Sequence, residues 1–388
     1  TGIAGCSGGD SDGTARTPTR GGSERSPANA PAETGSEPDL LGDVATAETE
    51  WPTRLATPER NPVLSGTAGP AAPLTEAWRT SGAAGARASV CEGVVYADFG
   101  ESLRALDLAS GDPLWTVELS GDAVRTPQVG EDALYVFDGG LSAFSRDDGS
   151  QLWQDSRLTG GSLALRDGLL YGATDESTFA FEPADGMVTW RDDDPRGAEA
   201  SSSGLRHLAA DEERLYTVED DGTITAFALD DGTRQWTQTV ESRADALDDR
   251  SVCNAAGGAV YLTHAPAGTA VLSAFDPATG SRRWQTTVGS PSAGPVVTAR
   301  GIHAYIPGSE TDAPVFATLD RATGEQRRAL SPVPFYGSRP VVADGRLYQH
   351  GRDGIVAVDI ESGDVRWDRA ESPSERGSLV VTETALLY

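Results

Sequence analysis

The chain contains no lysine, so all 31 of its Lys and Arg positions are arginine, against 59 acids and a formal net charge of -28. So large a deficit of positive charge excludes nucleic acid as a partner, because phosphates need a basic surface. It equally excludes electrostatic docking on anionic lipid. Cysteine is scarce: Cys6, Cys91 and Cys253 are an odd number and give no disulfide framework. No apolar run reaches the length of a membrane-spanning helix. The four histidines, His207, His264, His303 and His350, lack metal-ligand spacing. No nucleophile elbow, phosphate loop or calcium-loop spacing stands in a distinguishing context. The sequence therefore offers no catalytic residue, no metal ligand set and no cofactor site.

The acids that are present are spread through the chain between apolar runs. Clusters such as Asp192-Asp193-Asp194 and Glu219-Asp220-Asp221 lie in or beside turns and read as solvated surface. At about 1 M salt the Debye length falls to roughly 3 Å, so an acidic shell keeps a protein soluble without large self-repulsion. Acid excess with complete loss of lysine resembles the proteins of extremely halophilic archaea.

The first six residues end in Ile3-Ala4-Gly5-Cys6, which resembles the lipobox that closes a lipoprotein signal peptide. There, small residues precede a cysteine whose thiol takes a diacylglycerol and becomes the mature N-terminus. On this reading residues 1–6 end a signal peptide and Cys6 is the lipidation site. Residues 7–50 are rich in Ser, Gly, Pro, Ala and Glu and lack aromatics, so they are expected to form a disordered tether. Residues 51–388 have the composition of a folded domain.

That domain repeats itself. "ASGDPLW", "DDGSQLW", "ADGMVTW", "DDGTRQW", "ATGSRRW", "ATGEQRR" and "ESGDVRW" align on Gly111, Gly149, Gly186, Gly232, Gly280, Gly324 and Gly363. Four residues after the glycine stand Trp115, Trp153, Trp190, Trp236, Trp284 and Trp367, with Arg328 replacing Trp in the sixth copy. Upstream of each glycine lie an Ala-apolar-acid triplet, in most copies, and an apolar pair ending in Tyr, at Tyr96, Tyr135, Tyr171, Tyr216, Tyr261, Tyr305 and Tyr348. Short segments with alternating β-branched and aromatic residues argue for strands. Gly in the third turn supplies a positive φ, and the acid before it accepts hydrogen bonds from turn amides. The Trp is expected to return to the interface between units. One such four-stranded unit cannot bury its faces alone, whereas a closed ring can.

This recurrence of Tyr, acid, Gly and Trp in fixed order resembles the repeat of pyrroloquinoline-quinone-type β-propellers over residues 78–388. Within that family it is most similar to the lipoprotein propellers related to BamB, a bacterial outer-membrane assembly factor. The fold implied is an all-β propeller of four-stranded antiparallel blades behind a disordered N-terminal tether. Seven units are complete. "GSLVVTETALLY" supplies two strands of another, and "LTEAWRT" around Trp78 supplies a last strand, so eight blades are expected, with seven as the alternative. The eighth would be closed by the strand near residue 78 and lacks its third strand, which reads as truncation after Tyr388. Cys91 and Cys253 open opposite blades of such a ring and are expected to be free, buried thiols. The resemblance implies a non-catalytic binding or assembly scaffold, monomeric and lipid-anchored on the outer face of the cell membrane. A protein or envelope component would bind on a propeller face. A quinone-dependent dehydrogenase and the sensor ectodomain of a signalling protein are the alternatives. Against the dehydrogenase stand the missing adjacent cysteine pair and the short chain. The sixth seam, where Arg328 replaces Trp, is the place expected to differ.

Overall fold

In the computed structural model, the described residues are 63–64, 69–70, 75–80 and, with interruptions in the connections, 87–387. They form seven complete four-stranded blades, at 87–118, 128–155, 162–193, 205–239, 252–287, 296–329 and 341–370. Each blade is an antiparallel meander in chain order. First strands of neighbouring blades touch one another, while fourth strands such as Pro113–Glu118 and Arg234–Thr239 are largely exposed. The first strands therefore line the axis and the fourth strands form the rim. Among the described residues no helix is long and apolar enough to cross a membrane.

The eighth station differs from expectation. In place of a complete eighth blade, a two-stranded sheet pairs Val380–Val381 with Leu386–Leu387. Val380 and Val381 pack among Val90, Val95 and Leu106 of blade one and Val341, Tyr348 and Ile355 of blade seven. Residues 75–80, where a closing strand was expected, carry no strand. Trp78 nevertheless packs against the same cluster.

The N-terminal segment has a different role. Val63–Leu64 pairs parallel with Val342 and Ala343 on the first strand of blade seven, adding a fifth strand on the axial side. Val63 also packs with Val296 of blade six. Farther along, Gly69 lies so close to Tyr348 that a Cβ would stand 2.3 Å from its hydroxyl.

A cross-strand triplet explains the repeat. Tyr96, Ala105 and Trp115 lie side by side on strands two, three and four of blade one. The same order holds for Tyr216, Ala226 and Trp236 in blade four, and for Tyr348, Ala357 and Trp367 in blade seven. The small alanine lets the two rings meet across it, at centroid separations of 6.0, 5.8 and 5.9 Å in these blades. A bulge follows the alanine in each case, which starts the third turn.

Candidate functional site: the blade seams and the axis

Six of the tryptophans grip the next blade. Trp115 Nε1 donates to Arg146 O (2.8 Å), Trp153 to Pro183 O (2.9 Å) and Trp190 to Leu229 O (2.9 Å). Trp236 donates to Pro277 O (2.8 Å) and Trp284 to Arg321 O (3.0 Å). Trp78 donates to Leu108 O (2.9 Å), so it fills the Trp place of a unit ahead of blade one. The acceptor is always the residue after the acid position of the third turn. Tyr135 and Tyr171 bring their hydroxyls to the same carbonyls, Pro183 O and Leu229 O. Tyr and Trp of one blade thus converge on a single carbonyl of the next.

The turn glycines sit under these indoles. Gly111, Gly149, Gly186, Gly232, Gly280, Gly324 and Gly363 have φ between 70 and 80°. A Cβ on Gly232 would lie 2.4 Å from Trp190, and one on Gly280 2.5 Å from Trp236. The same approach joins Gly111 to Trp78 and Gly324 to Trp284. The turn acids serve as expected of an Asx cap: Asp107, Asp276, Asp320 and Asp359 each accept two backbone amides through Oδ1. In blades five to seven an arginine seven residues on closes over the acid, pairing Arg283 with Asp276, Arg327 with Asp320 and Arg366 with Asp359. The guanidinium bonds hold the Asp276 and Asp359 carboxyls down at about 2.

Blade six breaks the pattern, and it does so in three positions. The register places His303 opposite Thr318 and Thr318 opposite Arg328, where other blades place Tyr, Ala and Trp. Tyr305, aligned with the repeat tyrosines from the sequence, is therefore two residues out of register. It pairs across the sheet with Phe316 and stacks edge-on against it at 4.9 Å. Its hydroxyl crosses the seam to Gln349 Oε1 of blade seven. His303 is fully buried, with Nε2 at 2.9 Å from Thr298 Oγ1 and Nδ1 at 3.1 Å from Thr318 Oγ1. Burial pushes its pKa down to about 4. Arg328 replaces the indole's single bond with a fork: Nη1 donates to Glu361 O and Nη2 to Ser362 O (3.0 Å). Arg300 adds an ion pair to Glu361 at 3.0 Å. Here a solvent-exposed ionic clamp stands where the other seams carry an indole. The imidazole of His303, sealed from solvent and bonded at both nitrogens, is placed for packing and has no access to a substrate.

Sequence reasoning missed the arginines that staple seams from the other side. Arg146 of blade two donates to Tyr96 Oη (3.2 Å), Glu131 O (2.5 Å) and Glu92 (2.9 Å). Arg321 of blade six donates to Gly257 O of blade five at 2.5 Å. Both directly follow the third-turn acid position, where other copies have Leu, Pro or Ile, and that exchange is the signal that could have found them. The two cysteines also divide. Cys253 is a buried thiol outside any disulfide, but Cys91 is disulfide-bonded, so the expectation of a free Cys91 fails. Cys6, the tether and most of the long insertions lie outside the described residues.

A quinone held with calcium would need carboxylates and amides converging over the ring centre. Among the described residues, no three of His, Cys, Asp and Glu stand together closely enough to hold a metal ion. Two polar side chains of the inner strands are engaged sideways. Ser89 Oγ donates to Pro127 O (2.7 Å) and Asn254 Nδ2 to Pro295 O (3.2 Å), each tying a first strand to the next blade. The parallel strand Val63–Leu64 further occupies the axial edge of blade seven. The described donor set does not fit such a site.

Two solved structures share this architecture. The quinohemoprotein alcohol dehydrogenase of Comamonas testosteroni superposes with a TM-score of 0.65 at 12% identity, covering 89% of this chain and 77% of that one. A europium-containing methanol dehydrogenase superposes at 0.63 and 12% identity, covering 88% of each. At such identities the likeness is one of fold. The serine/threonine-protein kinase AfsK of Streptomyces coelicolor is 28% identical over 175 residues, 45% of this chain and 20% of that protein. The chain thus spans about a fifth of that curated relative's length. A family model described as outer membrane protein assembly factor BamB matches residues 65–166, 138–295 and 268–388, and with nearly all of the propeller so covered, the chain belongs to that family of PQQ-type repeat propellers.

Proposed function

We propose that this propeller is a non-catalytic binding and assembly platform outside the cytoplasm, anchored to the cell surface by a lipid on Cys6. The observation that carries the reading is the use of its polar groups. Ser89, Asn254, Tyr305 and Arg328 are spent joining blades, and the described residues bring no ligand set to the axis. Membership of a family described by an assembly factor supports the same reading. Adding pyrroloquinoline quinone and calcium to the purified protein is expected to give no bound quinone absorbance and no dye reduction. Stoichiometric quinone with turnover would replace the scaffold by a dehydrogenase. The partner is a protein or envelope component on a propeller face, and the propeller itself is monomeric. Cross-linking in whole cells, mapped by mass spectrometry, should place partner contacts on the loops of one face.

The anchor has its own test. Intact-mass analysis of protein extracted from membranes is expected to show a diacylglyceryl thioether at Cys6. A disulfide-linked peptide containing Cys6 would overturn the anchor and leave the platform reading standing. The acidic, lysine-free composition supports a haloarchaeal source, and with it folding in molar salt.

A second reading has one observation in its favour. The stretch matched to a serine/threonine-protein kinase suggests the sensing part of a signalling protein. An immunoblot of native cells separates the two: a polypeptide of about this chain's size supports the platform, and one several-fold larger supports the sensor.

A further inference from the structure

Among the described residues, five large apolar side chains are strongly exposed, and all five lie between a turn glycine and the tryptophan that follows it: Leu114, Leu152, Met187, Val188 and Val365. Four of them belong to three consecutive blades. Leu114 of blade one is 55% exposed, Leu152 of blade two 49%, and Met187 and Val188 of blade three 61% and 38%. In the next three blades the same stretch is polar and carries Arg234, then Arg282 and Arg283, then Arg327. Val365 stands apart on blade seven, between Asp364 and Arg366. The four are joined through the seams. Leu114 adjoins Trp115, whose ring lies 2.8 Å from where a Cβ on Gly149 would stand, and Leu152 is three residues beyond that glycine. Leu152 adjoins Trp153, whose ring lies 2.8 Å from the corresponding point on Gly186, and Met187 follows directly. Trp115 and Trp153 are themselves half-buried. Single exposed apolar residues are ordinary on a protein surface, whereas a contiguous apolar patch of a few hundred Å² is commonly a binding surface.

We infer that this arc of the rim, where the third turns of blades one to three run into their fourth strands, is a docking surface for a protein segment whose apolar side chains are flanked by basic ones. That the partner is a protein rests on the platform reading above. The apolar half of its chemistry follows from Leu114, Leu152, Met187 and Val188. The basic half follows from the charge around them. Asp112, Asp148 and Asp185 are exposed, and each lies within four residues of one of these side chains. The arginines nearby are already engaged, Arg157 with Asp155 and Arg191 with Asp193, while Arg146 is turned into the seam against Tyr96 and Glu92. The arc therefore presents apolar side chains in an acidic field, and a basic amphipathic segment satisfies both. An acidic segment would be repelled, and a purely basic one would leave the apolar side chains in water. Because blades four to six carry arginine at the same places, the rim is polarised, and the ring can meet such a partner in one orientation only.

Met187 is the chain's single methionine, so isotope labelling of methionine methyls gives one signal, and it reports from the arc itself. The test uses the full chain and a synthetic amphipathic peptide of leucine, alanine and arginine, with one leucine stripe flanked by arginines. Titration in a buffer salty enough to keep the chain folded should shift the Met187 methyl signal and saturate in the micromolar range. Leu114→Ser combined with Leu152→Ser should weaken binding at least tenfold without moving thermal unfolding, since both side chains are exposed. Arg282→Ser, on the opposite arc, should leave binding unchanged. The peptide with glutamate in place of arginine should bind at least tenfold more weakly, as should the one with serine in place of leucine. A Met187 signal that does not move overturns the inference, as does equal binding by the double variant or by the glutamate peptide. The same shift produced by phosphatidylcholine vesicles would assign the arc to a lipid surface. A shift that depends on protein concentration, with dimers in sedimentation, would assign it to a second copy of the chain. Either result overturns the inference. All of these outcomes leave the platform reading standing, which falls instead to bound quinone with turnover.

Discussion

At the scale of single residues, the turn glycines separate two effects that usually travel together. Gly93 has φ +75° with open space where a Cβ would stand, whereas Gly232 combines φ +70° with an indole carbon at 2.4 Å. Gly93→Ala should therefore cost only the left-handed backbone penalty, about 1–2 kcal/mol. Gly232→Ala should cost that and a further 1–3 kcal/mol or so for the displaced Trp190. Urea midpoints of the two variants measure the difference, and equal midpoints would refute the packing role of the glycine. Trp190→Ala removes the other half of the contact and should cost about 3–5 kcal/mol. Trp190→Phe should recover most of that, losing chiefly the bond to Leu229 O.

At the scale of the element, blade six behaves as a coordinated exchange. His303, Thr318 and Arg328 replace Tyr, Ala and Trp together, so a single reversion should not help. Arg328→Trp is expected to lower stability, because Thr318 leaves no room for an indole to reach across and the bonds to Glu361 and Ser362 are lost. The triple change to Tyr, Ala and Trp should regain what the single change loses, and equilibrium unfolding of both variants tests this. The same blade, with its neighbour, should be acid-sensitive. Burial lowers the pKa of His303 and of His264 to about 4, below the ordinary 6.5. Between these values the unfolded chain binds protons that the folded one refuses, so stability falls as pH drops from about 6.5 to 4. The full effect approaches about 3 kcal/mol per histidine. Below it, Asp276 and Asp359, held near 2, contribute stability that is present above their unfolded pKa and lost as pH falls through about 2. Urea titrations at constant salt should show both windows, and His303→Gln should flatten the upper one.

At the scale of the molecule, charge and ring closure dominate. A net charge of -28 repels itself over about 10 Å at 0.1 M salt but only about 3 Å at 1 M. Thermal unfolding is therefore expected to move upward steeply with NaCl over this range. A melting temperature independent of salt would mean that the acids are already balanced locally, as the Arg283, Arg327 and Arg366 pairs are. The ring itself is held by bonds from each blade to the next, with the N-terminal strand Val63–Leu64 joining blade seven on the axial side. Deleting residues up to 66 should weaken blade seven before blade three, and hydrogen exchange at residues 341–343 against residues 162–166 checks this.

The sequence alone determined the unit of this protein. A Tyr, a small residue, an acid, a Gly and a Trp recur in an order that only a four-stranded hairpin series can use, because their roles are local: turn φ, Asx capping and cross-strand contact. Seven units and their turns were legible for that reason. What the tertiary structure decided depends on residues far apart in the chain. That Tyr135 and Trp153 share the carbonyl of Pro183 could not be seen in either repeat. Tyr305 looked like a repeat tyrosine because spacing does not report register, and only pairing with Phe316 placed His303 in its stead. The arginine staples at Arg146 and Arg321 and the axial strand at Val63–Leu64 likewise depend on contacts between distant parts of the chain. The number of complete blades was decided there too, since two strands and a tryptophan from opposite ends of the chain meet only when the ring brings the ends together.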